Sequence, residues 1–75
     1  MQNIKDKTFL KKLGERIRQI RKAKNLSQVD VGVAMDNFRE QIGRSERGEL
    51  NVTICTLKKL ADTLEISLSE LVDLK

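Results

Sequence analysis

Residues 26–48, LSQVDVGVAMDNFREQIGRSERG, constrain this chain more than any other stretch. Ser27-Gln-Val-Asp30 has capping-box spacing, in which a serine hydroxyl and a carboxylate three residues later satisfy each other's backbone N–H groups. It predicts a helix from Ser27 to about Met35, with Val31, Ala34 and Met35 on its inner face. Asp36 and Asn37 form a break and can cap the next helix, which runs from Phe38 or Arg39 to Arg47 and is stopped by Gly48. Two helices this short and this close cannot lie antiparallel as a long hairpin, so they are expected to cross steeply. Gly32 sits inside the first of them at a cost of about 1 kcal/mol against Ala. The compensation expected is a close approach to the next helix.

The rest of the chain is built to the same period. Leu10, Leu13, Ile17 and Ile20 form one stripe of a helix over residues 8–24, with Thr8 as N-cap. Asn25 ends it in the left-handed conformation, and Leu26 packs back. A fourth helix over 53–64, capped by Thr53, carries Ile54, Leu57, Leu60, Ala61 and Leu64 on one face. Ser67 to Glu70 is a second capping box and opens a terminal helix over 67–74. With no Pro, Trp or Tyr and two Phe in 75 residues, the expected fold is all-α, one five-helix domain over 1–75 with a Leu/Ile/Val core.

The composition also excludes function classes. There is no His, no Gly-rich phosphate loop and no carboxylate cluster with metal spacing, which argues against an enzyme, a metal site or a cofactor. Cys55, beside the core face of the fourth helix, reads as a packing residue. A single cysteine fits a reducing compartment. No apolar run approaches the roughly 20 residues of a membrane span, and MQNIKDKTFLKK has no signal-peptide stretch. The expectation is a cytoplasmic, nucleoid-associated protein with no membrane and no small-molecule partner.

Charge is distributed unevenly. Residues 1–47 hold twelve Lys and Arg against six acids, whereas 48–75 hold three against five, so the halves carry +6 and −2. A basic half suits a polyanion, although solvated helix surfaces would look the same. Two short helices crossing over a tight turn are also the geometry of a helix-turn-helix unit, here 27–47, whose second helix can enter the major groove of DNA.

With Ile42 facing inward and about 100° per residue, Glu40, Arg44 and Arg47 fall within about 40° of the outward direction. Arg39 and Gln41 stand at the N-terminal end of that helix. An Arg can donate twice to guanine O6 and N7, and a Glu can accept from cytosine N4. Alone, this face would read equally as a solvated surface with a Glu40–Arg44 pair. A missing side chain at Gly43 is expected to let the backbone or neighbouring side chains come close to nucleic acid. Glu46 falls about 40° from Ile42, on the buried side, where a carboxylate needs a partner. Arg21, flanking the apolar stripe of the first helix, is the natural one.

The strings LGERIRQIRKAKNLSQ, IGRSERGELN and TLKKLADTLEISLSELV together resemble the helix-turn-helix domain of phage repressors and Cro proteins, the xenobiotic-response-element type of bacterial regulator. The resemblance runs from about Leu10 to Leu71. It implies the same Arg21–Glu46 pair, base reading by Arg39, Glu40, Gln41 and Arg44, and backbone contacts from Gln28, Arg47, Asn51 and Thr53. The sequence departs from the pattern in three places. Phe38 replaces a polar cap, Ser45 replaces an apolar residue and either weakens the core locally or frees a hydroxyl, and Asn51-Val52-Thr53 stands for Asn-Pro-Ser. The last variant, with the short chain, resembles restriction–modification controller proteins.

Ile66, Leu68, Leu71, Val72 and Leu74 offer more apolar surface than a short terminal helix hides, so part of it is expected to form a two-fold dimer interface. The function expected is sequence-specific binding of double-stranded DNA as a homodimer on a palindromic operator, with RNA polymerase as a further partner. An antitoxin-like or other protein-interaction module on the same fold is the alternative. RNA binding is disfavoured by the near absence of aromatics for base stacking.

Overall fold

The computed structural model describes residues 6–36 and 38–74. It consists of α1 (Lys7–Ala23), α2 (Gln28–Ala34), α3 (Arg39–Glu46), α4 (Ile54–Thr63) and α5 (Leu68–Leu71), with no strand among the described residues. The fold is therefore all-α, as expected.

The N-cap of α1 is Asp6 and not Thr8: the Asp6 carboxylate accepts from Phe9 N–H at 3.0 Å. A carboxylate is the better cap because it also meets the positive end of the helix dipole. At the other end Asn25 takes φ +59, and Leu26 N–H donates to Arg21 C=O at 3.1 Å, closing the helix as expected. Leu10, Leu13 and Ile17 are buried, and Leu26 is tucked against the core.

Both halves of the α2 capping box form, Asp30 N–H to Ser27 Oγ at 2.9 Å and Ser27 N–H to Asp30 Oδ2 at 2.8 Å. Val31 and Met35 face the core, but Ala34 is exposed. The i, i+4 line of Val31 and Met35 is the packed ridge, and Ala34 lies off it. Gly32 does what its position suggested. A Cβ there would stand 2.5 Å from Arg39 Cα, so any side chain would push α3 away from α2.

Asp36 turns the chain with φ +52, and Phe38 N–H then donates to Gly32 C=O at 3.1 Å. Asn37, considered as a cap, lies outside the described residues. The N-cap of α3 is Phe38, with no side-chain cap. Its ring packs partly buried against the core, so packing replaces capping at this end. Asp36 does not cap α3; its carboxylate pairs with Lys59 of α4 at 2.7 Å.

Leu57, Leu60, Ala61 and Leu64 of the fourth stripe are buried, whereas Ile54 is 63% exposed. The stripe meets the core only from Leu57 onward, one turn into α4. Cys55 is exposed as well, so it is not the packing residue anticipated.

The terminal helix is shorter than expected. Its capping box forms, with Glu70 N–H to Ser67 Oγ at 3.1 Å, yet α5 ends at Leu71. Leu71 is completely buried, which corrects its assignment to a dimer surface. Arg16 holds α5 in place by donating from Nε and Nη2 to Glu70 C=O at 3.2 and 2.9 Å. The core is one cluster drawn from all five helices, centred on Ile17, Ile42, Leu60, Leu64 and Leu71.

Candidate nucleic-acid interface

α3 is packed from two sides, by α1 and by α2. Ile42, Gly43, Ser45 and Glu46 are consequently buried, while Arg39, Glu40, Arg44 and Arg47 remain exposed. Glu40, Arg44 and Arg47 share the outward side predicted for them, and Arg39 is exposed at the N-terminal end of the helix.

The buried end of α3 is held by charge. Arg21 Nε and Nη2 donate to Glu46 Oε2 and Oε1 at 2.5 and 3.0 Å, with side chains only 8% and 3% exposed. Arg21 Nη1 also donates to Leu26 C=O at 2.8 Å. The hydrogen bond to Glu46 raises the Arg21 pKa above its already high value, so the guanidinium stays charged. Gln28 Nε2 donates to Glu46 Oε1 at 3.1 Å. One carboxylate thus ties α1, α3 and the first residue of α2 together. Buried pairs of this kind add little net stability but specify one arrangement, because losing either partner strands a charge. Here the arrangement fixed is the position of α3 and of Gln28, which lies exposed at its rim.

Gly43 makes room for neighbouring side chains. The space beside it is taken by Arg47 and Gln28: a Cβ would stand 3.2 Å from Arg47 Nη1 and 3.3 Å from Gln28 Oε1. Gly43 is a seat for two polar side chains.

Gln41 is half-buried, and its Oε1 is buried without a hydrogen-bond partner. With Val29, Arg39 and Glu40 it lines a shallow concavity at the N-terminal end of α3. Ser45 frees no hydroxyl for a hydrogen bond. Its Oγ is buried and unpaired, the local weakening that the sequence allowed as the other outcome.

After α3, Gly48 takes φ +76 and Glu49 N–H returns to Arg44 C=O at 2.9 Å. The Glu49 carboxylate then accepts from Arg47 Nε and Nη2 at 2.9 and 3.3 Å and stands 3.9 Å from Arg44 Nε. This hydrogen bond raises the Arg47 pKa. Sequence reasoning missed Glu49; the signal was the left-handed glycine before it, which folds the chain back over the helix end. Asn51 and Thr53 are exposed beyond this turn. The Thr53 hydroxyl is already engaged, accepting from Thr56 N–H at 3.2 Å as the α4 cap and lying 3.0 Å from Thr56 Oγ1.

Away from this face, Ile66, Leu68 and Leu74 are partly buried against the core and Val72 is 36% exposed. Phe9, 46% exposed, joins Val72 and Leu74 in lining an apolar hollow between α1 and α5. No group of acidic residues and cysteine that could hold a metal occurs among the described residues. None of their helices is long and apolar enough to cross a membrane.

The family model described as helix-turn-helix, HTH_3, matches residues 17–71. Among solved structures the chain is similar to the restriction–modification controller protein C.AhdI from Aeromonas hydrophila. The two are 39% identical over 85% of this chain and 97% of that one, with a TM-score of 0.82. It is also similar to the controller protein C.Esp1396I, at 28% identity over 89% and 90% of the two chains and a TM-score of 0.79. A C.Esp1396I tetramer in complex with its natural 35 base-pair operator matches at 27% identity over 89% and 97%, with a TM-score of 0.76. No curated protein matches the chain. A match over well more than half its length, spanning the two-helix unit and the buried pair that holds it, means that this chain belongs to the HTH_3 helix-turn-helix family of DNA-binding transcriptional regulators.

Proposed function

We propose that the protein binds a specific double-stranded DNA site as a homodimer, with α3 of each protomer in the major groove. The observation that carries this reading is the exposed pair Glu40 and Arg44 on the outward side, with Arg39 exposed at the N-terminal end, on a helix whose opposite side is locked by the Arg21–Glu46–Gln28 network. A rigid mount is what base reading needs, since donors must meet base edges within a few tenths of an ångström. Arg44 and Arg39 are assigned to guanine, and Glu40 to an exocyclic amine of cytosine. Gln28, Arg47 and Asn51 are assigned to phosphates, contacts that set register and salt dependence.

The dimer surface we assign is the exposed remainder of the C-terminal region, Val72 and Leu74 with the edges of Ile66 and Leu68. Two recognition helices related by a two-fold axis would meet half-sites about 34 Å apart. The controller proteins it resembles suggest a regulator of a restriction–modification operon, working in the cytoplasm at the nucleoid and contacting RNA polymerase from its operator. The function is binding, with no chemical step.

Selection of bound duplexes from a random pool tests this reading. Two copies of one half-site in inverted orientation are expected. A single asymmetric site, or no enrichment at low salt, would overturn it.

A further inference from the structure

The exposed acid Glu49 sits between two of the cations assigned to DNA. It closes on the Arg47 guanidinium with two hydrogen bonds, 2.9 and 3.3 Å, and lies 3.9 Å from Arg44 Nε. Paired oxygens facing a guanidinium fork are how a phosphate engages arginine as well as how a carboxylate does. All three side chains are at least half exposed, with Arg44 at 53%, Arg47 at 60% and Glu49 at 50%. Such pairs are weak in water and open at little cost. The backbone makes the arrangement specific, because the turn at Gly48 and the bond from Glu49 N–H to Arg44 C=O return this residue over the last turn of α3.

We propose that Glu49 is a built-in substitute for DNA phosphate. In the free protein it occupies the fork of Arg47 and shields Arg44, and it gives them up when duplex DNA arrives. The inference rests on the DNA-binding reading. Its consequence is a regulator whose attraction to any duplex is reduced at the very residues that would otherwise hold phosphate indiscriminately. Glu46, the other acid paired with an arginine near the end of α3, cannot act this way because it is sealed in the core and its oxygens are shared by Arg21 and Gln28.

The test is a titration of wild type, Glu49→Gln, Glu49→Ala, Arg47→Ala and the Arg47→Ala/Glu49→Gln pair against a random-sequence duplex and the selected operator, over a range of salt. Circular dichroism melts confirm that each variant is folded. Removing the Glu49 charge is expected to tighten binding to both duplexes about two- to five-fold at low salt. The slope of log K against log salt should steepen by about one. In the Arg47→Ala background the gain should shrink, leaving only what the weaker contact with Arg44 contributes. Unchanged or weaker binding by both Glu49 variants would overturn the proposal and make Glu49 a strut that positions the arginines. A gain just as large without Arg47 would overturn it too, leaving only long-range charge. If neither wild type nor any variant binds duplex at low salt, the DNA-binding reading itself fails. Binding by wild type with no response at Glu49 defeats the substitute alone.

Discussion

Two Arg–Glu forks bracket the C-terminal half of α3, and they differ almost only in their contact with water. Arg21–Glu46 is 8% and 3% exposed, while Arg47–Glu49 is 60% and 50% exposed, and in both the guanidinium donates twice to one carboxylate. In the buried fork neither partner can be removed without leaving a desolvated charge, so the pair acts as a fixed joint between helices. In the exposed fork water replaces either partner cheaply, so the pair can be exchanged for another anion. The same chemistry is structural on one side of the helix and labile on the other.

The largest expected effect tests the joint. Glu46→Ala should destabilise the fold by about 3–5 kcal/mol in denaturant titrations, because Arg21 is left buried without its partner. Replacing both residues with apolar ones of similar volume should recover most of that loss. A single variant as stable as wild type would erase the distinction between the two forks.

Next comes the outward face. Arg44→Ala should lose about 1–3 kcal/mol of operator binding, with little change in melting temperature. Equal operator affinity would mean that the assigned register of α3 is wrong.

A smaller change should go the other way. Ser45 buries a hydroxyl with no partner, so Ser45→Ala should be neutral or stabilise by about 1 kcal/mol in the same titrations. A clear destabilisation would show that the hydroxyl is satisfied after all.

The smallest effect concerns exposed acids elsewhere. The pKa of Asp36 is lowered by its hydrogen bond to Lys59, and those of Asp30 and Glu70 by the backbone N–H groups of their capping boxes. A folded-state pKa below the unfolded one contributes stability that is present above about pH 4 and is lost as pH falls through the folded value. Melting temperature should therefore drop between neutral pH and pH 3, and less so in Asp36→Asn. An identical drop in that variant would show that the Asp36–Lys59 pair contributes nothing.

Much of this molecule can be read along the chain. The five helices, both capping boxes, the left-handed Asn25 and the tight seat at Gly32 come from local rules of capping and steric contact. Even the Arg21–Glu46 pair can be derived, because a turn count around Ile42 places an acid on the buried side and an acid there demands a cation. The features that could not be read depend on which second neighbour a helix has. A turn count describes one inward direction, but α3 is packed by both α1 and α2, so Gln41 and Gly43 at its flanks are covered where a single axis leaves them open. Ile54 and Cys55 err in the opposite sense, since the first turn of α4 carries the helical pattern without reaching the core.

The terminal segment divides the two kinds of information most clearly. Its apolar residues announce burial, but Leu71 is sealed while the adjacent Val72 is 36% exposed, and the choice is made by how α5 docks on α1 and α4 under the Arg16 tether. Sequence alone determined the five helices and most of their caps, because those are short-range consequences of capping and periodicity. Tertiary structure alone decided which flanking residues are covered, and it buried one Arg–Glu fork while leaving the other open to water, because burial is set by neighbours distant in the chain.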